Sequence, residues 1–254
     1  MLLVVDVGNT NTVLGLMEGE EVRQQWRMST LSRTTDEVGL AMTQLLTLRG
    51  WKVADIQGVI ISCVVPSTLY NIEKAVRRYL HVEPLVVGSG IKTGMRVRTD
   101  NPREVGADRI VNAVAAVERW APPLVVVDFG TATTFDCVDE RGDYVGGAIA
   151  PGLAISAEAL FTSTSKLPRV PVMRPARAIG TNTVSAIQAG LFHGYVGLVN
   201  ELATVCKRQL GGEVTSVATG GFANLIAREC GQIEHVDEHL TLRGLSLLWH
   251  RNQR

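Results

Sequence analysis

The 254-residue chain has no surplus of charge of either sign, since 25 Lys and Arg offset 25 Asp and Glu. Bulk binding of nucleic acid or of an anionic membrane needs a basic surplus, so neither partner is expected and an anionic ligand must be held by local chemistry. Cysteine is scarce as well: Cys63, Cys137, Cys206 and Cys230 are scattered, with no C-x-x-C spacing. That is too few for a disulfide scaffold and points to a reducing compartment, hence the cytoplasm. Long apolar runs are missing, the best candidate being the strand-sized 59–65, interrupted by Ser62. Residues 2–5 are apolar but meet Asp6 at once and lack a basic flank, so no signal peptide is expected. Both common nucleotide signatures are missing too. No G-x-x-x-x-G-K-[ST] occurs, and Gly88, Gly90 and Gly94 are wrongly spaced for G-x-G-x-x-G.

What is present is a folding composition, 46% hydrophobic and 20% charged, long enough for one large domain or two of half the length. Residues 2–7 read as an apolar strand, 8–11 as turn chemistry, 13–17 as a second strand, 18–20 as a turn and 22–28 as a third strand. The same order returns at 124–128, 130–133, 134–138, 141–143 and 144–149. Sliding the chain on itself by 122 positions pairs Val4 with Val126, Val5 with Val127, Asp6 with Asp128, Gly8 with Gly130 and Thr12 with Thr134. Five identities in nine positions, at nearly half the chain length, predict two homologous lobes, 1–120 and 121–254, with the boundary near Ala121-Pro122-Pro123.

Between these hairpins the pattern predicts helices at 36–49, from Pro66 to 80, and at 108–120, where Ile110, Val111, Val114, Ala115 and Val117 recur at helical spacing. Strands are expected at 58–64 and 84–87. In the second half, helices are expected at 156–161, 183–210 and 223–229, a strand at 214–218, and a Pro-rich loop at 168–175. Strands alternating with helices after an antiparallel start make each lobe α/β with a mixed sheet.

Three segments could carry chemistry. Asp6-Val7-Gly8-Asn9-Thr10-Asn11-Thr12 ends a buried strand on a carboxylate and fills a turn with small hydroxyl and amide residues, a neutral cradle for phosphate. Hairpin turn chemistry alone would explain the same residues. Asp128-Phe129-Gly130-Thr131-Ala132-Thr133-Thr134 repeats the pattern, and two such turns facing one another could hold a polyphosphate and its cation. Gly220-Gly221, between strand and helix, lets a nucleobase or ribose approach the bare backbone, although a plain turn fits equally.

Together these elements resemble the phosphate-1, phosphate-2 and adenosine elements of the superfamily that unites acetate kinase, sugar kinases, heat-shock chaperone ATPases and actin. Within it the chain is similar to type III pantothenate kinases, through Asp6 to Thr12, Asn101-Pro102-Arg103-Glu104-Val105-Gly106-Ala107-Asp108-Arg109, Asp128 to Thr134, the 146–152 segment Gly-Gly-Ala-Ile-Ala-Pro-Gly, Asn182-Thr183 and Gly220-Gly221. The resemblance implies two ribonuclease H-like lobes with an ATP cleft between them. It implies ATP-dependent phosphorylation of pantothenate to 4'-phosphopantothenate, the first step of coenzyme A biosynthesis, by a homodimer. Asp6, Val7, Gly8, Asn9, Thr10, Asn11, Thr12 and Val13 would bind the ATP phosphates, Thr131 would also contact ATP, and Gly220 and Gly221 would lie at its adenosine. Gly106, Ala107, Asp108 and Arg109 with Thr183 would line the pantothenate site, and Asp108 would accept the proton. Asp128 would bind a monovalent cation, K⁺ or NH4⁺. Where the family usually places a Tyr that contacts pantothenate, this chain has Thr99.

The chemistry of the residues points the same way. Phosphoryl transfer is driven by positioning and by donors and cations around the equatorial oxygens. Asp6 suits Mg²⁺ held through water, a hard ion that keeps much of its hydration. Asp108 directly precedes an apolar-periodic helix and fits an N-cap as well as a general base. Arg109 could be a surface helix residue, although its guanidinium suits a carboxylate. A non-catalytic ATP-binding regulatory protein and a kinase for another small alcohol are the competing functions. His235-Val236-Asp237-Glu238-His239 matches H-x-x-E-H but lacks a third ligand, so it is expected to be a strand end and a helix start capped by Asp237. Arg169, Arg174 and Arg177 are expected to decorate a mobile, solvated loop.

Overall fold

The apolar run that opens the chain forms β1 (Leu2–Val7), buried at every position except the more open Asp6, as a strand flanked by partners on both sides must be. This is seen in a computed structural model that describes residues 1–253. β1 pairs antiparallel with β2 (Asn11–Glu18), which turns into β3 (Glu21–Ser29), and runs parallel to β4 (Gly58–Cys63), itself parallel to β5 (Pro84–Val86). The first sheet therefore has the order β3-β2-β1-β4-β5. One face of it, Leu3, Val5, Val7, Leu14 and Leu16, packs against Val38, Met42 and Leu46 of α1 (Thr35–Thr47) and Ile72 and Ala75 of α2 (Pro66–Ala75). Helix α1 starts where it does because Thr34 and Glu37 satisfy each other's backbone N–H groups, at 3.3 and 2.7 Å. Helix α3 (Ala107–Arg119) follows a long irregular stretch.

The second sheet is built from β6 (Leu124–Phe129), β7 (Ala132–Val138), β8 (Tyr144–Pro151), β9 (Thr215–Gly220) and β10 (His235–Val236), in the order β10-β9-β6-β7-β8. Helices α4 (Leu153–Thr162), α5 (Thr183–Leu210) and the short α6 (Ala223–Ile226) belong to it, and Phe192, Tyr195, Val199 and Ala203 of α5 pack on Val125, Val127, Phe129 and Phe135. Asn182 caps α5 by accepting the Ser185 N–H at 2.9 Å.

Read from the equivalent edges, the two sheets have one topology: antiparallel β1–β2–β3 matches β6–β7–β8, and the parallel pair β4, β5 matches β9, β10. The internal repeat is therefore a repeat of fold. The registers correct one pairing. Val7 lies opposite Thr12, and Phe129 opposite Thr133, so beyond the turn the equivalent of Thr12 is Thr133 and not Thr134. The second turn is one residue shorter, and Asn9 is the residue it lacks.

Contacts group the chain differently from its order. Residues 1–94, 103–115 and the segment starting at His239 form one unit, and 95–102 with 116–238 form the other. The last helix, α7 (Leu240–Asn252), thus belongs to the first sheet, where it packs on β1 and β4. Leu242 lies over Gly15 and the Trp249 ring over Gly58, at places where a methyl group would collide.

Candidate active site

Asp6 is the penultimate residue of β1, opposite Val13 of β2 and Ser62 of β4. Beyond it the Gly8 N–H donates to Asn11 O at 3.0 Å and closes a turn whose Asn9, Thr10 and Asn11 are exposed. Desolvation first, and then the neighbouring negative charge of Asp108, push the Asp6 carboxyl up to about 7. Asp108 is thereby placed beside Asp6 at the first Asp-x-Gly turn, a proximity that 102 residues of sequence separation did not disclose.

Asp108 lies in the first turn of α3, where its Oδ1 accepts the Arg109 N–H at 2.8 Å. It is within the helix rather than at its cap position, because Ala107 already opens the helix. Gly106 leaves room for this carboxylate, since a Cβ there would stand 2.6 Å from Asp108 Oδ1 and displace it. Burial raises the proton affinity of Asp108, and the Arg109 amide and guanidinium offset part of the rise. The carboxylate is thus both held by a helix-end amide and made more basic, a combination that suits a general base.

In the second unit Asp128 lies opposite Thr134 and Thr219. The Gly130 N–H donates to Ala132 O at 3.1 Å and closes the shorter turn, in which Thr131 is half-buried. Gly220 has φ +92°, and a side chain there would come within 2.5 Å of Asp128 Oδ1, so only glycine closes β9 against this carboxylate. The Gly221 N–H donates to Phe129 O at 3.1 Å. Thr183 is the exposed first residue of α5 and lines an open groove of about 840 Å³ with Ser156, Leu160 and Ile187. Gly106 to Arg109 belong to the first unit and Thr183 to the second.

Three residues near these turns carried no signal of their own. Thr30 follows β3 and bonds to the first turn, Gly152 follows β8 and bonds to the second, and Tyr195 of α5 bonds to Thr133. Sheet register brings Thr30 and Gly152 to the turns and the packing of α5 brings Tyr195, although the 146–152 segment contains one of them.

Another expectation is corrected. Asp237 does not cap the last helix: it is buried and paired with Arg119, since a buried carboxylate needs a charge partner, and His239 takes the cap position without a capping side-chain bond to the helix. Among the described residues no group of three His, Cys, Asp or Glu is placed to hold a metal ion. Arg169, Arg174 and Arg177 are exposed on an irregular segment, as expected, and Arg169 also pairs with Glu158 and lies over the Phe161 ring while Arg174 pairs with Glu229 at 3.1 Å.

Two mixed sheets of one topology, each turning at an Asp-x-Gly element, define the class of the actin-like and sugar-kinase fold. Solved structures agree in fold: component A of (R)-2-hydroxyglutaryl-CoA dehydratase from Acidaminococcus fermentans is 13% identical, with TM-score 0.55, over 99% of this chain and 98% of its own. An inorganic polyphosphate/ATP-glucomannokinase from Arthrobacter sp. strain KM is 12% identical, with TM-score 0.51, over 97% and 96%. The particular family is set by sequence. The family model for type III pantothenate kinase matches residues 2–205, and the type III pantothenate kinase of Geobacter sulfurreducens is 55% identical over the whole of both chains. The chain belongs to the type III pantothenate kinase family.

Proposed function

We propose that this protein transfers the γ-phosphoryl group of ATP to the primary alcohol of pantothenate, giving 4'-phosphopantothenate and ADP, the first step of coenzyme A biosynthesis. The observation that supports this most directly is the juxtaposition of Asp108 with Asp6, a basic carboxylate at a helix start beside a carboxylate at a phosphate turn. In this reading Asp108 orients the pantothenate hydroxyl and accepts its proton as the oxygen–phosphorus bond forms. The bond from phosphorus to the β–γ bridging oxygen breaks, and ADP leaves with the electron pair. Residues 6–13 and Thr131 hold the phosphates, Gly220 and Gly221 lie at the adenosine, and Gly106 to Arg109 with Thr183 hold pantothenate, its carboxylate facing the Arg109 guanidinium.

Mg²⁺ fits Asp6, because two neighbouring carboxylates with raised proton affinity are relieved by a hard cation. When bound, the ion neutralises charge on the phosphates. A monovalent cation, K⁺ or NH4⁺, fits Asp128, a carboxylate whose neighbours on the two flanking strands, Thr134 and Thr219, also carry oxygen. We place the enzyme in the cytoplasm as a homodimer. Support comes from its free thiols and from the exposed Ile155, Leu160, Phe161 and Val184 of α4 and α5, an apolar surface suited to a second copy. ADP release with Mg²⁺ and K⁺, measured across a panel of small alcohols and acids, tests the proposal and the effect of Thr99. Pantothenate-dependent turnover is expected. ATP binding without turnover on any acceptor would make the protein a regulatory binder instead.

A further inference from the structure

The two phosphate turns are tied to their sheets by the same backbone bond. In the first lobe the Thr30 N–H donates to Thr10 O at 2.9 Å, and in the second the Gly152 N–H donates to Thr131 O at 3.1 Å. The registers show that these are equivalent positions. Asn11 lies opposite Ser29, the residue before Thr30, and Ala132 lies opposite Pro151, the residue before Gly152. At this shared position the lobes differ in what the side chain can do.

At 152 no side chain fits. A Cβ there would collide with Thr131 O and stand 2.6 Å from Gly130 O, because the turn is one residue shorter and its carbonyls close over the position. At 30 the extra residue, Asn9, opens the turn and a threonine occupies the space. Its hydroxyl donates to Gly8 O at 2.8 Å and lies 2.9 Å from Thr12 Oγ1. With its single hydrogen given to Gly8, Thr30 accepts from Thr12. One residue outside the turn therefore fixes it at three points: the carbonyls of Gly8 and Thr10 and the hydroxyl of Thr12. The second lobe meets the same need differently. Thr133, the equivalent of Thr12, bonds to Tyr195 OH, which donates to Pro151 O at 3.1 Å.

We infer that Thr30 is a positioning residue for ATP, a side-chain strut that holds the longer first turn in its phosphate-binding shape. This rests on the reading of residues 6–13 as the phosphate site. A turn of one glycine and three exposed polar residues has many shapes available, and holding one of them before the ligand arrives lowers the ordering cost of binding. The strut touches no substrate, so its removal acts on ATP and leaves pantothenate alone.

The test compares Thr30→Val, which keeps the shape without the hydroxyl, with Thr30→Ser, which keeps the hydroxyl. Two lost hydrogen bonds predict a KM for ATP raised roughly 10-fold in Thr30→Val, with KM for pantothenate within about 2-fold of wild type and recovery in Thr30→Ser. Calorimetry with tripolyphosphate and with adenosine separates this inference from the function it rests on. Weakened tripolyphosphate binding with unchanged adenosine binding supports the strut even if wild type proves inactive on pantothenate. If wild type turns over and Thr30→Val binds tripolyphosphate normally, the strut fails while the kinase stands. Equal changes in both KM values would also overturn it. Should Thr30→Val not fold, Thr30→Ala gives the same comparison, and failure of both to fold would make Thr30 a folding residue and overturn the assignment.

Discussion

The lobes share a sheet order, an Asp at the end of the central strand and a backbone bond that closes each turn, yet they have diverged in opposite directions. The first turn gained a residue, a side-chain strut and a second carboxylate, Asp108, against its Asp. The second is tight, and glycines at 152 and 220 let backbone crowd against Thr131 and Asp128. The difference teaches that a duplicated fold can keep its hydrogen-bonding frame while the side chains set around that frame diverge: a pair of carboxylates and a hydroxyl strut at one turn, close-packed glycines at the other. The frame is backbone, insensitive to side chains, whereas the chemistry resides in the few side chains the frame leaves room for.

The comparison is tested most sharply at Asp108, the carboxylate set beside Asp6 of the first turn. Asp108→Asn is expected to lower kcat by at least about 100-fold with KM for ATP nearly unchanged, as steady-state kinetics would show. Wild-type turnover would leave the first lobe without special chemistry. The tight packing of the second lobe is probed by Gly152→Ala, whose methyl meets Thr131 O and Gly130 O. Overpacking of about 1–3 kcal/mol is expected, seen as a Tm drop of roughly 2–4 °C per kcal/mol, together with weaker ATP binding. An unchanged Tm would mean that the short turn yields easily and that the contrast in packing is unreal.

The charge contrast has a pH signature. Asp6 is raised to about 7 in the folded protein, so between its unfolded value near 4 and about 7 the folded state holds a proton that the unfolded state has lost. Stability of the protein free of ligand and metal therefore falls as pH rises through that window and levels off above it. Asp6→Asn removes this fall: its Tm is expected to exceed wild type by a few degrees at pH 8 and to match it near pH 4, while turnover is lost. Parallel Tm curves for the two proteins would show that Asp6 carries no buried charge cost. The smallest effect is expected far from both turns, where Arg23 pairs with Glu18 and Glu21 on the exposed edge hairpin. Arg23→Ala should leave Tm and both KM values almost unchanged, because water and salt screen an exposed ion pair, and it measures the background against which the other variants are read.

Much of the frame was legible before any coordinates. The long helix begins at Thr183 and ends at Leu210 as its apolar spacing and polar flanks require, and the paired Asp-x-Gly turns disclosed the repeat. A helix start after Asp237 is legible, but the pattern does not say which sheet α7 covers, and the cap reading of Asp237 fails because a cap and a buried ion pair need the same residue type. The one-residue difference between the turns was hidden by a coincidence: Thr133 and Thr134 are identical, so the slip left no trace in the alignment.

What the chain determined by itself was local and periodic: which segments are strands, which are helices, where turns fall, and that a neutral protein must hold anions with turns rather than with surplus charge. Only the tertiary structure decided which distant residues meet those turns, since Asp108, Thr30 and Tyr195 reach them through register and packing. The reason is physical. Hydrophobic periodicity is encoded in neighbours a few positions apart, whereas the raised proton affinity of a carboxylate and the bracing of a loop depend on partners that only the folded chain brings within hydrogen-bonding distance.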